Sequence, residues 1–213
     1  MTYRGIVWPS PNPADPPPHA RLLGLMRDVA GANSVRINIP TTKNIDRIDA
    51  ILKVGLRPLA LLQPVGRTFG TSGLVQLAGD VARLTEVRDV ELLNEPQGGP
   101  DATFTAQTYA EMATAAAYEI RRVDPTIRIW LFAEAVDVAK GTLKPYHTVV
   151  KSLVPADCYD GIAVHLYRAP NSANWVNRKL RTRADEWELV RQAAGPTKPI
   201  LITEVGWPVH RPW

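Results

Sequence analysis

The sequence predicts an α/β fold of the (β/α)8 TIM-barrel type, shortened to seven strand–helix units with no clear eighth strand. Three observations lead there. Short apolar runs alternate with stretches of helical period along the chain, the pattern of parallel strands joined by right-handed crossovers. Runs such as LALLQ and ILIT are near-continuously apolar, as a sheet covered on both faces requires. Polar residues gather at the C-terminal ends of many strands: Asn38, Asn94 and Glu95, Glu134, His165 and Tyr167, and Glu204. An open doubly wound sheet would use its switch point alone, and its dinucleotide-binding form would carry a Gly-rich turn after the first strand, which this chain lacks. In a barrel, every strand end faces one shared pocket.

The elements follow in order. RGIVW (4–8) reads as the first strand, and a Pro-rich loop leads from it into a helix at HARLLGLMRDVAGA. SVRINIP (34–40) is the second strand, followed by the helical IDRIDAILKVG. LRPLALLQP (56–64) is the third, with Pro58 near its start because proline cannot donate to a central ladder. LVQLAGDVARLTEV spaces its apolar residues at helical intervals before the fourth strand, RDVELLNEP. A long helix follows, with Thr103 or Thr105 to cap it, and carries Tyr109, Met112, Ala116 and Ile120. IRIWLFAEA (127–135) is the fifth strand, and LKPYHTVVKSLV a helix whose first turn accepts Pro145. YDGIAVHLY (159–167) is the sixth strand, DEWELVRQAAG a helix closed by Gly195, and KPILITEVGWP (198–208) the seventh strand.

A length of 213 residues is read as one domain spanning 1–213, short of the roughly 250 usual for this barrel. A barrel open between its first and seventh strands exposes backbone and apolar surface. Closure by an irregular segment, or by a second copy in a homo-oligomer, is therefore expected. Hydrophobic content of 45% and charged content of 22% supply an ordinary globular core. No apolar run approaches the roughly 20 residues of a membrane helix. MTYRGIVWPS carries one basic residue and no long apolar stretch, so no secretory signal is visible. The chain is expected to act where it is made, to have lost a leader, or to be exported without its own. The net charge of +4 is scattered apart from Arg178, Lys179, Arg181 and Arg183, which read as a solvated loop. No aromatic interleaving or binding motif suggests nucleic acid. Cys158, the single cysteine, excludes an internal disulfide and reads as a small buried hydrophobe.

The chemistry rests on two carboxylates. Glu95 and Glu204 each end a predicted strand, so a barrel would bring them to one face across 109 positions of sequence. Two carboxyls flanking a pocket are the minimum machinery for glycoside hydrolysis: one protonated to donate to the leaving oxygen, the other ionised to attack the anomeric carbon. A separation of about 5–5.5 Å would fit a retaining reaction. Asn94, beside Glu95, is placed to donate to a sugar hydroxyl. Arg36 sits in an otherwise apolar strand and needs a carboxylate partner, either Glu204 or, as a structural pair, Glu91 or Asp89. His165 and Tyr167 alternate with Leu166 and are expected to face the pocket, His165 touching substrate and Tyr167 holding Glu204. Trp8 and Trp207 lie at the pocket end as sugar-stacking platforms, with Trp175 a weaker candidate; Trp130 and Trp187 read as packing residues. Glu134, Asp137 and His165 show no HxH or HExxH spacing, so neither metal nor cofactor is expected. No G-x-S-x-G elbow supports serine chemistry. His19, His147 and His210 read as exposed.

LLNEP, HLY and ITEVGWP, with VRI earlier, resemble the marker segments of clan A of the glycoside hydrolases. VELLNEP is similar to its cellulase and mannanase group, and TEVGWP to its β-glucanase and xylosidase members. The resemblance covers nearly the whole chain in motif order. It implies a retaining enzyme on a β/α barrel, acting on an oligo- or polysaccharide. It further implies Glu95 as acid/base, Asn94 as its neighbour, Glu204 as nucleophile, Arg36 and Tyr167 as nucleophile supports and His165 as substrate contact. Two departures stand out: Leu93 occupies a position where many members carry Trp, and the Trp platform after an eighth strand is missing. The alternative expectation is an inactive carbohydrate-binding or structural module derived from such a barrel.

Overall fold

The computed structural model describes residues 5–8, 14, 16–63, 70–84, 86–96, 104–135, 145–167, 191–192, 194–195 and 197–206, with the side chains of 132–135, 145–148, 166–167 and 204–206 outside the description. Seven strands form one parallel sheet: β1 (Gly5–Trp8), β2 (Ser34–Ile39), β3 (Arg57–Leu62), β4 (Asp89–Leu92), β5 (Arg128–Ala135), β6 (Gly161–Tyr167) and β7 (Ile200–Gly206). Their order in the sheet is their order in the chain, and each pairs in parallel with the next. The first five crossovers carry α1 (Ala20–Asp28), α2 (Asp46–Lys53), α3 (Thr71–Ala82), α4 (Ala106–Val123) and α5 (Pro145–Leu153). Thr105 caps α4, its hydroxyl accepting from Thr108 N–H at 3.1 Å and satisfying one of the helix's free donors. The helix expected before β7 has its start outside the described residues. Its end is as the sequence suggests: Gly195, at φ +82°, bonds its N–H to Arg191 C=O at 2.9 Å.

Two apolar layers follow from the period-2 alternation of the strands. On the outer face, Val35, Ile37, Ile39, Val90, Leu92, Ile129 and Ile162 pack against Ile48, Leu77, Val81, Met112, Ala116 and Ile120 of the helices. The inner face holds a smaller cluster of Leu59, Trp130, Ala163 and Leu201. Trp130 fills the barrel because residue 161 is glycine. A Cβ there would stand 2.5 Å from the Trp130 ring and 2.6 Å from the Pro199 carbonyl oxygen. Asp89, buried in the same layer, accepts from Trp130 Nε1 and Arg128 Nη2, both at 2.9 Å. Cys158 is buried and His19 exposed, as expected. On α1 the buried residue is Leu23, while Leu22 and Leu25, on other faces of the helix, and Val29, just past its end, are exposed.

The sheet curls into a nearly closed barrel. β1 and β7 are its edges, and their Cα atoms come within 8 Å. Hydrogen-bonded strands stand about 4.8 Å apart, so a strand inserted between two others needs roughly 9.6 Å. At these points the seam is too narrow for a further strand, and among the described residues β1 and β7 do not pair. Gly5, Val7, Arg36, Leu59, Leu201 and Thr203 line a cavity of about 80 Å³ along it. Val7 and Ile202 remain partly exposed on the two edges.

Candidate active site

The site is built around the exit of β4. Leu93 and Glu95 both take left-handed backbone conformations, with φ of 64° and 42°. Neither is glycine, so each costs about 1–3 kcal/mol that the surroundings must offset. The bonds doing so come from several elements. Leu93 N–H reaches Leu62 C=O at 3.2 Å, one step beyond the β3–β4 ladder. Asn94 N–H is accepted by the side chain of Gln63, Oε1, at 2.5 Å. Tyr109 of α4 donates its hydroxyl to Leu92 C=O at 3.1 Å, and Phe104 N–H bonds Pro96 C=O at 2.8 Å.

Beneath this turn lies a buried ion pair. Arg36 Nε donates to Glu91 Oε2 at 2.5 Å, and Arg36 Nη2 to Asn94 Oδ1 at 2.7 Å. The two charged side chains are 6% and 0% exposed. The structural pair that the sequence left open for Arg36 is formed, with Glu91. Arg36 also fixes the Asn94 amide by taking its oxygen, which turns the Nδ2 donors elsewhere. Glu91 Oε1 and Asn38 Oδ1 are buried with no partner among the described residues.

Glu95 leans toward β6. Its Oε1 is 3.0 Å from His165 Nδ1, with the imidazole buried and the carboxyl about a quarter exposed. The pair holds either a carboxylate accepting Nδ1–H or a carboxylic acid donating to Nδ1. A carboxyl partnered this way and still open to solvent can give or take a proton. His165, expected to touch substrate, is buried, with its Nδ1 against Glu95.

β7 reaches the same place through an irregularity. Val164 aligns with Ile202, yet His165 aligns with Glu204, so Thr203 is an extra residue on β7. Strict alternation would have set Thr203 beside His165; the bulge sets the Glu204 backbone there instead. Tyr167 ends β6 opposite Gly206. The side chains of Glu204 and Tyr167, and the whole of Trp207 and Trp175, lie outside the described residues. Trp8 aligns with Ile37 and packs against the helix-side cluster, so the platform expected at this position is a packing residue on the outer face. Among the described residues no cluster of three His, Cys, Asp or Glu could hold a metal ion, and no helix is long and apolar enough to cross a membrane.

Sequence reasoning missed Gln63 and Tyr109 as parts of this site, and offered Glu91 only as a structural partner of Arg36. Gln63 carried a readable signal, since it ends LALLQ as Asn94 ends VELLN. Tyr109 carried none beyond its helical spacing.

No family model matches the chain, and no curated protein matches its sequence. Solved structures do match. A glucosidase from Croceicoccus marinus superposes with a TM-score of 0.68 at 16% identity, over 95% of this chain and 51% of its own. A family 39 glycoside hydrolase from Bacteroides cellulosilyticus WH2 gives 0.63 at 17%, over 95% and 48%. A β-mannanase from the blue mussel Mytilus edulis gives 0.56 at 13%, over 86% and 69%. The chain shares the barrel fold of these glycoside hydrolases over most of its length, and spans about half the length of the first two.

Proposed function

We propose that this chain carries the catalytic centre of a retaining β-glycosidase acting on an oligo- or polysaccharide. The observation that carries the reading is the Glu95–His165 pair, formed on a strained turn beside the strand position of Glu204. Strain of this kind persists where surrounding structure over-determines it, and it clusters at functional sites. In the proposed reaction Glu204 attacks the anomeric carbon while Glu95 protonates the departing oxygen. A covalent glycosyl-enzyme results. Water then enters, Glu95 takes its proton, and the sugar leaves with its anomeric configuration retained. His165 orients the Glu95 carboxyl and shares its proton through both steps. Asn94, its amide oxygen engaged by Arg36, presents its N–H donors to the sugar.

The likeness to solved glycosidases supports the fold this chemistry needs. The nucleophile role of Glu204 is supported by its strand-end position and by the motif it sits in. A panel of aryl β-glycosides and polysaccharides would identify the sugar. Trapping with a 2-fluoro glycoside bearing a good leaving group is expected to label Glu204, as read by peptide mass spectrometry. Labelling elsewhere, or no labelling with any sugar of the panel, would sink the assignment. Saturable sugar binding without turnover would instead favour the binding-module alternative.

A further inference from the structure

The turn that presents Glu95 is held by a side chain to which no role has been given. Along β3 and β4 the backbone ladder ends when Leu93 N–H bonds Leu62 C=O. The next donor, Asn94 N–H, lies between two left-handed residues and has left the ladder's geometry. Gln63, the residue after β3, supplies the missing acceptor from its side chain, Oε1 standing 2.5 Å from the Asn94 nitrogen.

Asn94 is thereby gripped twice, its backbone by Gln63 and its amide by Arg36. The two grips come from β3 and β2. Glu95 is met from the opposite side by His165 of β6. Without the Gln63 bond, the Asn94 N–H would be left to find a new partner, and the cheapest way is to relax the strained backbone at Leu93, whose dihedrals orient that N–H. That relaxation carries the following residues with it and swings the Glu95 carboxyl away from His165. We infer that Gln63 is a positioning residue for Glu95, acting through the Asn94 backbone to hold the carboxyl where a leaving group can be protonated.

This rests on the reading of Glu95 as the acid/base, and the test separates the two. The probes are phenyl and 2,4-dinitrophenyl β-glycosides of whichever sugar the panel identifies. Phenolate is a poor leaving group and needs the proton; dinitrophenolate departs without it. A misplaced acid forfeits part of the ~10²–10⁴-fold that a positioned one contributes, so Gln63→Met is expected to lose at least about tenfold in kcat/KM on the phenyl glycoside. The dinitrophenyl glycoside should be nearly unaffected, because its glycosylation step bypasses the acid. Gln63→Glu, which restores an Oε acceptor, is expected to recover the phenyl activity. A purely structural glutamine would lower stability in Gln63→Met and leave the ratio of the two substrates unchanged, which would overturn the inference. Glu95→Ala is the control. If it shows no leaving-group dependence, the acid/base assignment itself fails; if it does and Gln63→Met does not, the positioning role alone fails. Amide hydrogen exchange gives a readout independent of turnover. Asn94 N–H should be protected in the wild type and in Gln63→Glu, and exchange rapidly in Gln63→Met; equal protection in all three would also refute the role.

Discussion

Replacing Arg36 with Met tests the buried heart of the site. The substitution keeps most of the side-chain length and removes the charge. Glu91, fully buried, then loses the donor to its Oε2, and its Oε1 has no described partner to begin with. Breaking a buried pair from one side costs about 3–5 kcal/mol. Loss of the bond to Asn94 Oδ1 adds about 1 kcal/mol. In urea, with a slope of roughly 2 kcal/mol per molar, the midpoint should fall by about 2 M at neutral pH. Arg36→Met with Glu91→Leu removes both charges, and apolar replacements of buried pairs are often neutral, so the double variant should regain most of the loss. A double variant no more stable than Arg36→Met would refute the picture of an uncompensated buried carboxylate.

Three further outcomes are expected. Gly161→Ala forces a methyl against the Trp130 ring and the immovable Pro199 carbonyl, and should cost about 1–3 kcal/mol, seen as a Tm lowered by several degrees; an unchanged Tm would mean the barrel interior is looser than these distances imply. Tyr109→Phe removes the bond to Leu92 C=O from a fully buried hydroxyl and should cost about 1 kcal/mol in denaturant, whereas a neutral result would discount α4 as a support of the turn. Burial pushes the Cys158 thiol above its ordinary range, so the folded state keeps a proton that the unfolded chain releases. That contribution is complete below about 8.5, the ordinary thiol value, and is lost as pH rises through the raised one; stability of the wild type should therefore fall relative to Cys158→Ala in alkali, and parallel curves would contradict it.

The strand–helix alternation was legible because parallel strands buried on both faces are apolar along their length, and the described helices carry no runs like LALLQ, IWLFA or ILIT. Element ends were less so. The helix expected around LVQLAGDVARLTEV begins earlier, at Thr71, and stops at Ala82. Which charges turn inward was hidden, because Asp89 and Glu91 alternate with Val90 and Leu92 in a strand that any face could claim. Their burial depends on partners from other strands, Arg36 lying 55 positions away from Glu91. The bulge at Thr203 was invisible for a related reason. Alternation counted along ILITEV sets Leu201 and Thr203 on one face, and the extra residue that brings Glu204 into line with His165 exists only in the pairing of two strands. Trp8 shows the reverse error, since proximity to a strand end says nothing about which face the ring takes.

Because each strand pairs with its sequence neighbour, the sheet can lengthen in step with synthesis, every new strand docking on the edge left by the last. Glu95 and His165 are 70 residues apart, so at roughly 5–20 residues per second their meeting waits about 4–14 s. Arg36 and Gln63, the two side chains that grip Asn94, both leave the ribosome before it does. The nascent chain thus has two of the turn's holders in hand when the turn itself emerges; Phe104 and Tyr109 follow, and the imidazole comes last.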